Sequence, residues 1–427
     1  MRFEEALAEL DGRQPQRMVP DLERITALAK LLGDPQLTSP TLHVTGTNGK
    51  TTTARLITSI ACAHGLSTGL YTSPHLESVT ERISVCTEAI SEEEFADTYD
   101  HLLPFLLTVD KESDQQVTYF ETLTALAFLY FADKPVQTAV FEVGMGGRWD
   151  ATNLVAGDVA VITPISLDHR ELGDTVEQIA TEKADIIKPG KIGVIREQLP
   201  SVQAIVDRRA ADVGASLLLE GRDFSLVDRK LALGGQALRV ESMRDSYDDV
   251  FIPLFGEHAA RNASAAVAAM EAFLDRPLSH DEVRKGLRNA ESPGRLEIVT
   301  RQPLVVLDGA HNPAGAQALA SSFPEAFTAR QLFVIVAVSA DKDVEGIAQA
   351  LRPLDGAFVA TRYAGARSAD PEDLAAALRD AGAAEVSVSP SVDQAIDDAR
   401  ANAEEDDAIL VTGSLYTVAE ARRTLLS

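Results

Sequence analysis

The stretch Thr41-Leu-His-Val-Thr-Gly-Thr-Asn-Gly-Lys-Thr-Thr52 constrains this chain more than any other. A short apolar run, Leu42 to Val44, ends in a Gly-rich turn, and a helical pattern follows from Thr52 to Cys62. Backbone N–H groups of such a turn and the helix N-terminus face an anion, and a lysine adds a point charge. Gly46, Thr47, Asn48, Gly49, Lys50 and Thr51 therefore read as a phosphate cradle, with the Thr51 hydroxyl placed to reach a metal that bridges phosphates. Val44 stands where the longer motif G-x-x-x-x-G-K-[ST] has its first Gly, so the cradle is a shortened form. A turn that merely needs two glycines is the bland alternative, and the flanking strand and helix patterns weigh against it.

Short β-branched runs alternate with amphipathic stretches almost throughout. Strands are expected at Leu42–Thr45, Gly69–Thr72, Thr138–Phe141, Val159–Thr163 and Ile192–Ile195, with helices such as Phe120–Phe131 and Thr175–Ile187 between them. That alternation predicts a parallel sheet covered by helices. The rhythm changes over Phe224–Pro253, where short runs and Gly234-Gly235 suggest a small antiparallel insert. A helix returns at His258–Leu274, and Glu291-Ser-Pro-Gly294 reads as a linker. Strand–helix alternation then restarts at Leu304–Leu307, Leu332–Val338, Ala357–Ala360, Glu385–Val388 and Ala408–Val411. The expectation is an α/β chain of 427 residues in two domains. A P-loop-containing parallel-sheet ATPase domain would span 1–292, and a smaller Rossmann-like α/β domain 295–427.

Composition narrows the partners. The net charge of −26 argues against nucleic acid or an anionic membrane surface. Apolar runs stay well short of the ~18 residues that a membrane span needs, and the start Met1-Arg-Phe-Glu-Glu5 does not resemble a signal peptide. Cys62 and Cys86 are the two cysteines, in no C-x-x-C pattern. The expectation is a reduced compartment, the cytoplasm, with no disulfide framework.

In doubly wound sheets ligands sit beyond the carboxyl ends of strands, so polar residues directly after strand runs carry most weight. Glu142 follows Thr138–Phe141 and precedes Gly144, Gly146, Gly147, Arg148, Trp149 and Asp150, a placement that suits Mg²⁺ beside phosphates. His169, after Val159–Thr163 and Asp168, can converge on the same metal. Lys183 would be a second cation near Lys50 and suits an ATP site, against the bland reading of a surface charge pair with Glu182. Ser73 ends another strand and offers a neutral oxygen of the kind Mg²⁺ accepts. Arg82 suits a substrate carboxylate or phosphate, or else is simply solvated. In the second half, Val305-Val-Leu-Asp308-Gly-Ala-His311-Asn-Pro313 repeats the theme of strand, polar cluster and helix. Arg295 in the linker and Asn262 on the helix after His258 are placed to touch a nucleotide, though each alone is a weak signal.

Together these segments closely resemble the folylpolyglutamate synthase/dihydrofolate synthase family of the Mur ligase superfamily. The resemblance rests on His43–Lys50, Thr72–Leu76, Thr80–Ile83, Phe141–Arg148, Asp150–Asn153, Leu167–His169, Glu182–Ala184, Asp308–Pro313, Ala340–Asp343 and Thr412–Tyr416, in colinear order. It implies a two-domain ATP-dependent amide ligase. Such an enzyme phosphorylates a substrate carboxylate, and the amine of L-glutamate then attacks the acyl phosphate. By the same resemblance, Lys50 and Thr51 would serve the phosphates, with Mg²⁺ on Ser73, Glu142 and His169. Lys183 would be the family lysine that is carbamylated and holds a second Mg²⁺; K⁺ is a compatible further cation. Asn262, Arg295, Asp308 and His311 would hold the nucleotide. Asp150, Ala151 and Phe120 would contact the pterin of dihydropteroate or a folate, and Ser414 would lie on the glutamate side. The implied chain is monomeric, with small molecules as its only partners. The chain departs from the family at Thr51-Thr52, which follow the murein ligases, and at Trp149, where Leu is usual.

Two other readings weigh less. A murein-type amino-acid ligase would usually carry a separate UDP-binding domain, and only about 40 residues precede the loop. A non-catalytic ATP-binding protein would be expected to have lost Lys50, Glu142, His169 or Lys183, and all four are in place.

Overall fold

A computed structural model describes residues 1–15, 19–168 and 170–426. These divide into two compact units: Met1–Asp228 with Leu238–Phe251 and Arg261–Ala290, and Arg229–Ala237 with Ile252–Ala260 and Glu291–Ser427.

The first unit is built on a sheet of eight strands among the described residues. They are β1 (Thr41–Thr45), β2 (Thr68–Tyr71), β3 (Ile83–Val85), β4 (Glu88–Ala89), β5 (Thr138–Glu142), β6 (Val159–Ile162), β7 (Ile192–Ile195) and β8 (Ser216–Leu219). Their order is β4-β3-β2-β5-β1-β6-β7-β8. From β2 to β8 neighbours run parallel, while β3 and β4 add an antiparallel edge. The central strands β1, β5 and β6 are buried along their whole length, as strands of a parallel sheet covered on both faces are. The helix Tyr119–Asp133 is buried on nearly every side and begins with a reciprocal cap between Thr118 and Glu121. Phe128 and Phe131 of that helix pack on Phe141 of β5 at ring separations of 5.3 and 5.7 Å.

This topology positions the site. β1 lies between β5 and β6, with Val44 opposite Glu142 and Thr45 opposite Ile162. The carboxyl ends of three strands therefore open side by side.

Cys62 and Cys86 form a disulfide with Cα atoms 5.9 Å apart, which corrects the expectation of two separate thiols. The reason is topological rather than a local motif. Cys62 lies at the end of the helix Lys50–Ala63, which leads directly into β2. β3 returns antiparallel along β2 with Val85 opposite Gly69, and the Cys86 N–H donates to Thr68 O at 2.8 Å.

Between the two large sheets in sequence, β9 (Ser225–Ala232), β10 (Gly235–Glu241) and β11 (Ser246–Ile252) form a three-stranded sheet in the order β11-β10-β9. The second unit holds β12 (Glu297–Arg301), β13 (Leu304–Asp308), β14 (Leu332–Val336), β15 (Ala357–Ala360), β16 (Glu385–Val388) and β17 (Ala408–Thr412). Its order is β12-β13-β17-β14-β15-β16, parallel except for β12. No helix among the described residues is long and apolar enough to cross a membrane.

Candidate active site

The phosphate loop leaves β1 at Thr45 and enters the helix Lys50–Ala63 through Gly49, whose φ is +86°. Gly46 has φ +145°, and a Cβ there would fall 1.8 Å from Thr163 Oγ1, so only glycine fits. Thr163 itself fastens the loop, donating through Oγ1 to Asn48 O at 2.7 Å. Thr47 is tied to the strand end of β6: its N–H donates to Pro164 O at 3.0 Å and its hydroxyl to Ser166 O at 3.0 Å. Lys50 Nζ donates to Thr47 O at 3.2 Å.

Glu142 ends β5 and is 1% exposed. Its Oε1 accepts from Thr51 Oγ1 at 2.7 Å, and its Oε2 from the Ser73 backbone N at 3.2 Å. Three residues expected around Mg²⁺ from separate motifs thus meet at one carboxylate. Among the described residues no group of three His, Cys, Asp or Glu side chains is arranged to hold a metal. The local donors are instead a carboxylate and hydroxyl-bearing residues, a hard-oxygen set that fits Mg²⁺. His169 lies outside the described residues.

Lys183, on the helix Val176–Ala184, is 3% exposed and donates through Nζ to Gly46 O at 2.7 Å. Burial, reinforced by the Lys50 cation, pulls its pKa down to about 7, with Asp168 and Asp150 opposing. The Gly144–Gly147 turn lies against this helix. A Cβ on Gly147 would approach Glu182 O to 2.7 Å, and one on Gly144 would meet the Phe120 ring at 2.5 Å.

Asp150 is buried and organises that turn. Its Oδ2 accepts from Met145 N at 2.9 Å and its Oδ1 from Thr152 N at 3.0 Å and from the Thr152 hydroxyl. Burial pushes its carboxyl pKa up, against those donors. The Thr152 hydroxyl proton goes to Asp150, so its oxygen accepts from His43 Nε2 at 2.9 Å. That fixes His43 as the Nε2–H tautomer. Its Nδ1 is buried without a hydrogen-bond partner. Burial, helped by the nearby Lys188 cation, lowers the His43 pKa to about 3. Ala151 is buried in the turn Ala151–Leu154 that Asp150 caps, while Trp149 is half exposed.

Arg82 is 8% exposed, donates through Nε to His75 Nδ1 at 3.0 Å, and lies over the Tyr119 ring at 5.6 Å. It is therefore an oriented guanidinium, not a solvated one. Burial and the Arg82 charge hold the His75 pKa at about 4, which keeps that nitrogen an acceptor. Asn262, on the helix Glu257–Leu274, is 2% exposed and lies against Gly49: a Cβ there would be 2.8 Å from Asn262 Nδ2.

In the second unit Asp308 ends β13, accepting from Leu296 N and Ala310 N at 2.9 Å each. Burial raises its pKa, opposed by Arg295 and His311. His311 donates through Nδ1 to Gly309 O at 2.9 Å. Asp308 pairs with Thr412 of β17, so the nearly buried Ser414 begins two residues beyond the neighbouring strand end. Arg295, Asp308 and His311 form one cluster.

Residues that the sequence reasoning missed include Thr163, Thr152, Arg196 and Glu220. Thr163 and Arg196 stand at or directly after an expected strand run, the same signal that singled out Glu142, while Glu220 follows β8, which was not expected from the sequence.

Residues 44–270 match the Mur ligase middle domain and residues 294–415 the Mur ligase glutamate ligase domain. The fold and the cradle are thus those of a Mur-type ligase. The dihydrofolate synthase/folylpolyglutamate synthase of Mycobacterium tuberculosis is 42% identical over 97% of this chain and 92% of its own length. The folylpolyglutamate synthase of Lacticaseibacillus casei is 34% identical over 100% of this chain and 99% of its own. Among solved structures, the M. tuberculosis folylpolyglutamate synthase complexed with ADP superposes with a TM-score of 0.94 at 40% identity, covering 99% and 98% of the two chains. A folylpolyglutamate synthase complex with AMPPCP and folate gives 0.89 at 33% identity, covering 100% of both. The chain belongs to the folylpolyglutamate synthase/dihydrofolate synthase family.

Proposed function

We propose that this chain is an ATP-dependent amide ligase that joins L-glutamate to dihydropteroate or a folate. The observation that carries the reading is the meeting of Thr51, Ser73 and Glu142 beside a Gly-rich loop bearing Lys50. ATP gives its γ-phosphoryl group to the acceptor carboxylate, leaving ADP and an acyl phosphate. The glutamate amine, having lost its proton, attacks the acyl carbon through a tetrahedral intermediate, and phosphate departs. The protein supplies positioning and charge neutralisation.

In this reading the loop N–H groups and Lys50 hold the phosphates, and Thr51, Ser73 and Glu142 hold Mg²⁺. When bound, that ion neutralises phosphate charge. The pKa of Lys183, lowered by burial to about 7, supports its carbamylation, because a large share of the amine is then neutral near pH 7. The amine nitrogen bonds to the carbon of CO₂ and a proton leaves to water, giving a carboxylate able to hold a second Mg²⁺. His169 keeps a metal-binding place on the family resemblance alone. Asp150, Ala151 and Phe120 take the pterin and Arg82 a substrate carboxylate. Asn262, Arg295, Asp308 and His311 take the nucleotide, and Ser414 the glutamate. Residues 1–292 would bind ATP and pterin, and 295–427 would complete the glutamate ligase, as a monomer in the cytoplasm.

Phosphate release with Mg-ATP and L-glutamate tests this, with 7,8-dihydropteroate and tetrahydrofolate compared as acceptors. Turnover with either supports the reading and sets which synthase activity the chain has. Turnover with neither removes the acceptor assignment.

A further inference from the structure

β7 and β8 are parallel neighbours, with Ile195 opposite Leu219. The next residue of each is charged and buried: the Arg196 and Glu220 side chains are 4% and 5% exposed. Arg196 Nε donates to Glu220 Oε2 at 2.8 Å. Glu220 is held in turn by Arg261 Nε at 2.7 Å on Oε1 and by Glu197 N at 2.8 Å on Oε2. The guanidinium thus fixed turns its NH1 to Asn262 Oδ1.

A guanidinium only donates, so the Asn262 atom facing it must be the carbonyl oxygen. The amide cannot be flipped without opposing N–H to N–H inside a buried site. The whole amide lies against Gly49, the residue that caps the phosphate-loop helix, with Nδ2 the nearer atom at 2.8 Å from where a Cβ would stand and Oδ1 at 3.1 Å.

We propose that Arg196, braced by Glu220, is a positioning residue that locks the Asn262 amide so that it presents a donor to the nucleotide. The proposal rests on the reading that Asn262 touches the nucleotide. A donor in that place recognises an acceptor, a purine ring nitrogen or a ribose oxygen. It does not match the amino group of adenine, which is itself a donor. A charge pair sited here only to hold β7 to β8 would be indifferent to nucleotide.

The test is a double-mutant cycle on Mg-ADP affinity, measured by calorimetry on the full chain. Asn262→Ala is expected to weaken Mg-ADP roughly 10- to 100-fold, the loss of a buried hydrogen-bonded contact. Arg196→Met is expected to give a similar loss, with KM for glutamate and for the acceptor within about twofold of wild type. Combining the two should cost no more than Asn262→Ala alone. Asn262→Asp, which keeps an oxygen toward Arg196 and removes the donor, should match Asn262→Ala. Arg196→Lys should recover part of the affinity. Should Arg196→Met fail to fold, the pair Arg196→Met with Glu220→Gln removes both charges and is read the same way.

Wild-type affinity in Arg196→Met, or additive losses in the double variant, would overturn the positioning role. Wild-type affinity in Asn262→Ala would instead sink the underlying reading that Asn262 meets the nucleotide. Probing with 7-deaza-ADP and 2′-deoxy-ADP then separates the acceptors: the analogue to which wild type and Asn262→Ala bind equally lacks the atom that is read.

Discussion

Thr51 and Glu142 are 91 residues apart in sequence, and the hydroxyl of one donates to the carboxylate of the other at 2.7 Å. One residue lies in the first turn of the helix behind the phosphate loop and the other closes β5, so the bond fixes two oxygen-bearing side chains beside the loop. Glu142→Gln keeps the shape and removes the charge. It is expected to lower kcat/KM for ATP by about 10²-fold or more, on the scale of other preorganised charge contacts. Titration with Mg²⁺ at fixed ATP should show the variant needing more of the ion. Unchanged Mg²⁺ dependence would remove Glu142 from the metal site.

Lys183→Ala should abolish glutamate-dependent ADP release, by roughly 10²-fold or more. The wild type should also lose rate in CO₂-free buffer and regain it with bicarbonate, because only the neutral amine reacts and it prevails above about pH 7. A near-normal rate in Lys183→Ala removes the residue from the mechanism.

Gly46→Ala places a methyl group on Thr163 Oγ1. The loop must leave its φ of +145°, breaking the Asn48 and Thr47 anchors with it. Nucleotide binding should vanish, while the melting temperature falls by a few degrees at most. ADP affinity within tenfold of wild type would show that the loop tolerates the displacement.

His43 makes the protein acid-sensitive. It is neutral in the folded state down to about pH 3, while the unfolded chain takes up a proton near pH 6.5. Between those values the unfolded state binds more protons, so stability is complete above 6.5 and declines as pH falls. The slope from this group is about 1.4 kcal/mol per pH unit, or about 2 kcal/mol at pH 5. His43→Gln keeps an N–H toward Thr152 and cannot titrate there. Its urea midpoint should fall less steeply than that of wild type between pH 6.5 and 4.

The disulfide closes a loop with a sequence separation of 24. Cys86→Ser should therefore lower unfolding free energy by about 3 kcal/mol, the scale for a loop of this length. Wild type treated with a thiol reductant should match the variant, and the phosphate site should still bind ADP. Equal denaturant midpoints with and without reductant would show that the bond adds no stability.

Much of this site is legible in the sequence because its parts are local. Lys50 and Thr51 are announced by Gly46 and Gly49 in the turn just before them, and Glu142 by its place after an apolar run. What escapes is pairing across distance. Cys62 and Cys86 meet only because β3 folds back on β2, a fact no cysteine spacing encodes. Arg196 follows an expected strand as Glu142 does, yet Arg-Glu-Gln there looks like ordinary solvated charge until burial is known, and Glu220 follows β8, a strand not expected from the sequence. His43 sits inside an apolar strand run, and its bond to Thr152 depends on a turn more than a hundred residues on. The antiparallel edge strands β3 and β4 have three and two residues, too few to show a hydrophobic period, and β12 pairs with β13 across a register shift between Ile298 and Thr300.

The cradle is completed by chain that is made long after it. Glu142, Thr163 and Lys183 reach back across 91, 115 and 137 positions to the loop and its first helical turn. A growing polypeptide that has emerged only as far as Thr52 carries the whole phosphate motif and none of its supports. On the proposed function, the loop that would hold the phosphates therefore gains its last brace only once the helix of Lys183 has docked. Nucleotide bound there would stabilise the folded chain over the unfolded one by RT ln(1 + [L]/Kd).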